Sequence, residues 1–301
     1  MKRFYLLCFA VCAYAGYAQE KVDIEKLYKK NNVLLVSKTK QPFTGTAIDY
    51  DADKQPRNEI NYTNGIKNGV AKVYYSNGKV SEQANFNNGK LDGAFHIYYE
   101  NGQTEIEVNY LNNKKEGAEK SFYENGALRY EAFYKNNELD GAYKAYFEDG
   151  KVSKEGKYIN GYEDGVFKAY NNAGIVLSEV QWSNSNKEGV EKNYHENGVV
   201  STTIPWSRNQ KNGIAKYFDK EGKLTQEVSY KNDRVNGVVK KYYENGTIKE
   251  QSDWRNNERE GLTIKYDESG KVISQVKYME GAPEGDSKTR GDVARSGGSR
   301  R

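Results

Sequence analysis

Glycine returns every 24 residues along most of this chain. Gly45, Gly69, Gly93, Gly117, Gly141, Gly165, Gly189, Gly213, Gly237, Gly261 and Gly285 keep that spacing without insertion or deletion. A strict period of this length restricts the fold to a stack of like supersecondary units, each burying part of its neighbour. With each of these glycines counted as offset zero, offset 5 is aromatic in all ten units, from Tyr50 to Tyr266. Offset 17 is aromatic in all ten as well, from Tyr62 to Tyr278. Offset 9 is glycine except at Lys54, and offset 14 is Glu or Gln except at Thr203.

Each unit reads as two strands. Offsets 1 to 6 and 10 to 17 are rich in β-formers and bounded by turn residues. The first turn, as in Ser76-Asn77-Gly78, admits two hairpins. A two-residue loop pairs offset 5 with offset 12, which holds Arg129, Ser153 and Lys249; a three-residue loop closed by a left-handed glycine pairs it with offset 11, which holds Val80, Leu128 and Val176. The apolar partner selects the three-residue loop, and the same register sets offset 1 opposite offset 15. The second turn passes through Asn at offset 19 and Gly, Asn, Asp or Ser at offset 20, residues that tolerate positive φ. The expectation is all-β: an elongated single-layer antiparallel meander of ten 24-residue hairpins, about 95 Å long at roughly 4.8 Å per strand. One face is expected to carry both aromatic columns with the other odd offsets. The opposite face then carries offset 14 among mixed polar neighbours. Lysine at offset 3, as in Lys72, Lys144 and Lys216, lays its stem over the aromatic face.

The string from Gly69 to Asp92, G-x-x-x-x-Y-x-x-N-G-x-x-x-x-E-x-x-Y-x-N-G-x-x-x, resembles the MORN repeat variant that defines the YwqK-type, toxin–antitoxin antitoxin-like family. The resemblance covers residues 45–284 and implies a MORN-like antiparallel sheet that serves as an interaction surface. The first unit departs from the pattern at Asp53-Lys54 and Pro56. Residues 19–44 fit no repeat and are read as a cap or edge segment, in which residues 33–36 and Pro42-Phe43-Thr44 form an N-terminal cap or edge strand.

The ends have a different character. Lys2 and Arg3 precede an apolar run over residues 4–15, and Gly16-Tyr17-Ala18 places small residues before Gln19. This reads as a signal peptide over residues 1–18, giving an exported bacterial chain of the periplasm, envelope or medium. Cys8 and Cys12 both fall inside it and neither sits in a lipidation context, so the mature chain has no disulfide or thiolate site. Residues 285–301 read as a disordered basic tail carrying Arg290-Gly291-Asp292 as a chance tripeptide.

Little in the sequence points to chemistry. The net charge of +4 is concentrated at the ends, leaving a near-neutral body without the basic stripe a nucleic acid requires. The same balance argues against a membrane surface, and a mean hydropathy of -0.97 excludes a polytopic membrane protein. His96 and His195 have no metal-ligand spacing, and the glutamates of offset 14 share one repeating environment instead of splitting into acid and base. No catalytic, metal or cofactor residues are assigned. The reading is a non-enzymatic scaffold for a protein partner, with self-association as a variant of it. The second reading is a cell-wall or glycan binder, since Tyr242 to Gly246 is similar to choline- and wall-binding repeats. Trp182, Trp206, Trp254 and Tyr278 are the candidate partner-binding aromatics, expected to be exposed, the last two nearest an end of the array.

Overall fold

Strands alternating with two kinds of tight turn make up nearly all of the described residues. The structure is a computed structural model that describes residues 20–284; residues 1–18, read above as a signal peptide and holding both cysteines, and residues 285–301, with the tripeptide, lie outside the described residues. The chain divides into two compact units, Met1–Lys114 and Lys115–Arg301.

In the first unit, β1 (Lys21–Asp23) leads through a single 3-10 turn (Ile24–Lys26) into the hairpin β2 (Leu27–Lys30) and β3 (Val33–Val36). β1 lies parallel to β4 (Gly45–Tyr50), with Lys21 opposite Thr46, so the meander is not antiparallel at its start. β4 then pairs with β5 (Pro56–Thr63), and hairpins continue to Leu111. The strand added beside the first repeat is thus Lys21–Asp23, not residues 33–36, which pair with Leu27–Lys30 in a separate hairpin. The core of the cap is Leu27, Leu34, Phe43 and Ala47, joined by Val22, Val36 and Tyr62, and Phe43 is only 1% exposed. In the second unit the repeat runs from Lys114–Phe122 to Val272–Met279, antiparallel throughout, and ends in Ala282–Pro283 paired with Tyr278 and Met279.

Offset 5 pairs with offset 11 in every unit, as in Tyr74 with Val80 and Phe122 with Leu128. The amide of Gly78 donates to the Tyr75 carbonyl and the amide of Tyr75 to the Lys79 carbonyl, and Gly78 takes φ +79°, the expected three-residue loop. The second turn has positive φ at both central positions, as in Asn112 (52°) and Asn113 (69°), which is the two-residue reversal whose twist matches antiparallel strands.

One residue beyond the first turn the expected register fails. Val73 pairs with Glu82, Ala71 with Ala84 and Val70 with Asn85, so offset 1 faces offset 16 and offset 2 faces offset 15. The cause is a β-bulge in the second strand: one extra residue at offset 12 is absorbed between the pairs made by offsets 5 and 4. Residues directly opposite share a face, so the bulge separates the two aromatic columns. Offsets 2, 15 and 17 occupy one face; offsets 1, 3, 5, 14 and 16 occupy the other. Ring contacts agree with this: Tyr143, Tyr158 and Phe167, from offsets 2 and 17, meet edge to face at 5.8 and 5.4 Å.

The repeating glycine is a second irregularity. All ten at offset zero within the described residues have positive φ, Gly261 at 107°, and a β-carbon there would stand 2.9 Å from Asp253 Oδ2. Successive repeats are stapled by side chains acting on main chain. The amides of Lys187, Lys211 and Val235 donate to the side-chain oxygens of Asn209, Asp233 and Asn257 at 2.7–2.8 Å. At the opposite turns the hydroxyls of Tyr123 and Tyr243 donate to the carbonyls of Tyr146 and Tyr266, at 2.7 and 2.8 Å.

Candidate functional site

On the first face the column of offset 17 is interleaved with offset 22 of the same hairpin. The two-residue turn between them makes these positions direct neighbours, as in Trp182 with Lys187 and Trp206 with Lys211. The cations bridge adjoining rings. Lys187 Nζ lies 5.7 Å from the Trp182 ring centre and 4.6 Å from that of Trp206; Lys211 Nζ lies 5.8 Å from Trp206 and 5.3 Å from Tyr230. The Arg259 guanidinium carbon sits 5.6 Å from Trp254 and 5.2 Å from Tyr278. Each contact of this kind contributes on the order of 0.5–1 kcal/mol at a partly exposed site.

All four aromatics singled out from the sequence belong to this one column. They are half-buried, with cations over their rings, rather than exposed as expected. Trp254 Nε1 donates to Ser252 Oγ at 2.8 Å, while the buried Trp206 Nε1 has no partner among the described residues. The cations at offset 22 were missed in the sequence, although Lys67, Lys115, Lys187, Lys211 and Arg259 all stand there. Two of them also hold carboxylates at offset 2: Lys115 pairs with the buried Glu119, and Lys187 meets Glu191 at 2.8 Å.

The second face carries a ladder of Lys, Glu and Tyr. Lys168 reaches Glu179 at 3.1 Å, Lys144 reaches Glu155 at 3.6 Å and Lys216 reaches Glu227 at 3.7 Å. The offset-5 tyrosine of the following unit donates to the same carboxylate, Tyr170 to Glu155 at 2.6 Å and Tyr242 to Glu227 at 2.8 Å. Burial first, then these hydrogen bonds and the carboxylate charge, push the phenols of Tyr170 and Tyr242 up to about 12. Burial also raises Glu179, but hydrogen bonds from Lys168 and Tyr194 together with the charges of Lys168 and Lys192 outweigh it and leave that carboxyl below its ordinary value.

The ladder has gaps. Thr203 lies between Lys192 and Lys216 on adjacent strands, and Gln251 lies opposite Lys240. Beside this stretch, at offset 1, Val166, Val190 and Ile214 are 47%, 49% and 53% exposed. The histidines serve separately: His96 stacks on Tyr98, and His195 Nε2 donates to the Phe218 carbonyl at 3.0 Å.

Comparison with known proteins identifies the repeat. No curated protein matches the chain. Among solved structures, a chain in the crystal structure of TcdB2-TccC3-Cdc42 is similar over 78% of this chain at 11% identity, with a TM-score of 0.16. The match spans 16% of that chain. The family described as MORN repeat variant matches residues 67–88, 91–112, 115–136, 139–160, 187–207, 211–232, 235–256 and 259–279. Between the fourth and fifth matched segments the strands Gly165–Tyr170 and Val176–Ser183 keep the same register, so the hairpin array runs through the gap. With eight repeats that together cover more than half of its length, the chain belongs to the MORN repeat variant family.

Proposed function

We propose that this MORN repeat chain is a non-enzymatic scaffold, exported from the cytoplasm, that binds a protein partner. The observation that carries the reading is the row of half-exposed aliphatic residues Val166, Val190 and Ile214, repeated at one position of consecutive hairpins. A regularly spaced apolar row on a sheet face marks an interaction surface more readily than scattered single residues do. The narrower, YwqK-type version makes the partner a protein whose activity is restrained by binding. The export part rests on the basic start, the apolar run and the small residues before Gln19.

Affinity capture from an envelope fraction with the chain from Gln19 onward tests it. Specific enrichment of one protein is the expected result; retention by purified cell wall would favour the glycan reading instead. N-terminal sequencing of envelope material should begin at Gln19, and an intact Met1 would remove the export part. Replacing Trp254 and Tyr278 by Ser assigns the aromatic column. Loss of capture with little change in melting makes these rings contacts, whereas loss of folding makes them packing.

A further inference from the structure

We infer that the second face of the Lys115–Arg301 unit binds an acidic, aliphatic protein segment laid across its strands. This rests on the protein-binding reading and adds the place and chemistry of the contact. Two parallel rows define the site. The first contains Val166, Val190 and Ile214, with Pro205 directly opposite Val190. From the strand of Val166 to that of Ile214 the row crosses four strand spacings, about 19 Å, enough for roughly six extended residues of a partner.

The second row lies two residues farther along the same strands. It is the part of the ladder in which Lys168 lies between Glu155 and Glu179, whereas Lys192, Lys216 and Lys240 each face one carboxylate, Glu179 or Glu227. Those two carboxylates are already held by lysines and by tyrosine hydroxyls, as shown by the bonds of Lys168 to Glu179 and of Tyr242 to Glu227. Thr203 and Gln251 stand where Glu131 and Glu155 balance the earlier part of the ladder, so no carboxylate stands between Lys192 and Lys216 or directly opposite Lys240 on its Gln251 side, beside an exposed aliphatic row. Lys192 and Lys216, on either side of Thr203, are exposed. A segment that alternates Asp or Glu with Val, Ile or Leu satisfies both rows: its apolar side chains cover the valines and isoleucine while its carboxylates replace the two missing from the ladder.

The test is selection of random dodecapeptides on the chain from Gln19 onward, repeated on two variants. The Thr203→Glu/Gln251→Glu variant restores the repeat's own pattern and keeps the fold. The Val190→Asn/Ile214→Asn variant removes the apolar row. Peptides enriched on the native chain should combine acids with branched aliphatics, weaken as salt is raised, and lose about tenfold or more in affinity on each variant. Enriched peptides that ignore both variants, peptides without acidic excess, or no enrichment at all would overturn the inference. Binding of phosphatidylglycerol vesicles with the same sensitivity to both variants would overturn it in favour of a lipid surface. An envelope protein captured equally by native and variant chains would also sink it, while leaving the protein-binding reading intact.

Discussion

Exchanging the sizes of Gly156 and Phe167 tests what joins one hairpin to the next. Phe167 is 4% exposed and meets Tyr158 edge to face, and a β-carbon at Gly156 would stand only 2.3 Å from Phe167 Cδ1. The corresponding pair is Ile60 with Ala71 in the first unit and Val228 with Val239 later, so the same space is filled from either side. Phe167→Ala alone empties that space and should cost about 3–5 kcal/mol. Gly156→Ile alone overfills it against a buried ring and should cost about 1–3 kcal/mol. The double variant reproduces the Ile60–Ala71 arrangement, so it should be less destabilised than the sum, with a coupling of about 1–3 kcal/mol. All three tryptophans lie in the same unit, so urea unfolding followed by their fluorescence reports the change, and equal slopes across the four proteins allow their midpoints to be compared. Additivity to within about 0.5 kcal/mol would show that the two positions do not share a packing site and would refute the reasoning.

Gly126→Val and Gly198→Val force a β-branched residue into φ near 86° and 82°, and each should cost roughly 1–3 kcal/mol, read as a lowered thermal midpoint. Phe43→Ala should cost about 3–5 kcal/mol and speed hydrogen exchange in β2 to β5, leaving the Lys115–Arg301 unit unchanged. Because Tyr170 and Tyr242 have folded pKa values near 12 against 10.0 unperturbed, their contribution to stability is complete below pH 10. It is lost as pH rises towards 12, and ultraviolet difference absorbance should show them ionising after the exposed tyrosines. Tyr170→Phe should remove this delay for one phenol and cost about 0.5–1.5 kcal/mol.

Both turns and the pairing of offsets 5 and 11 were legible in the sequence because each depends on local chemistry: Asn-Gly preferences and an apolar residue facing an aromatic one. The division of the two faces was not. It depends on a bulge at offset 12, whose occupants, such as Ser81, Arg129 and Lys249, give no sign that the strand absorbs an extra residue there. Pairwise chemistry held the missing signal. Setting Lys at offset 3 opposite Glu at offset 14, and large opposite small at offsets 2 and 15, fixes the shifted register, as Lys144 with Glu155 and Tyr143 with Gly156 show. The tryptophans were read as exposed because single-layer sheets have no second layer to bury them. Lys187 and Arg259 supply that cover from within the sheet, through a cation one tight turn away.

The staples that reach 22 or 23 residues ahead also bear on how such a chain changes length. Duplicating or deleting a whole hairpin pair leaves each donor facing an equivalent acceptor, because the new neighbour presents the same atom at the same position. Adding one residue inside a strand instead turns its side chains to the wrong face and carries its staple off the acceptor. Copy number is thus the soft coordinate of this architecture and residue number within a copy the stiff one. A lineage can lengthen or shorten its sheet in whole units while every retained unit stays in register.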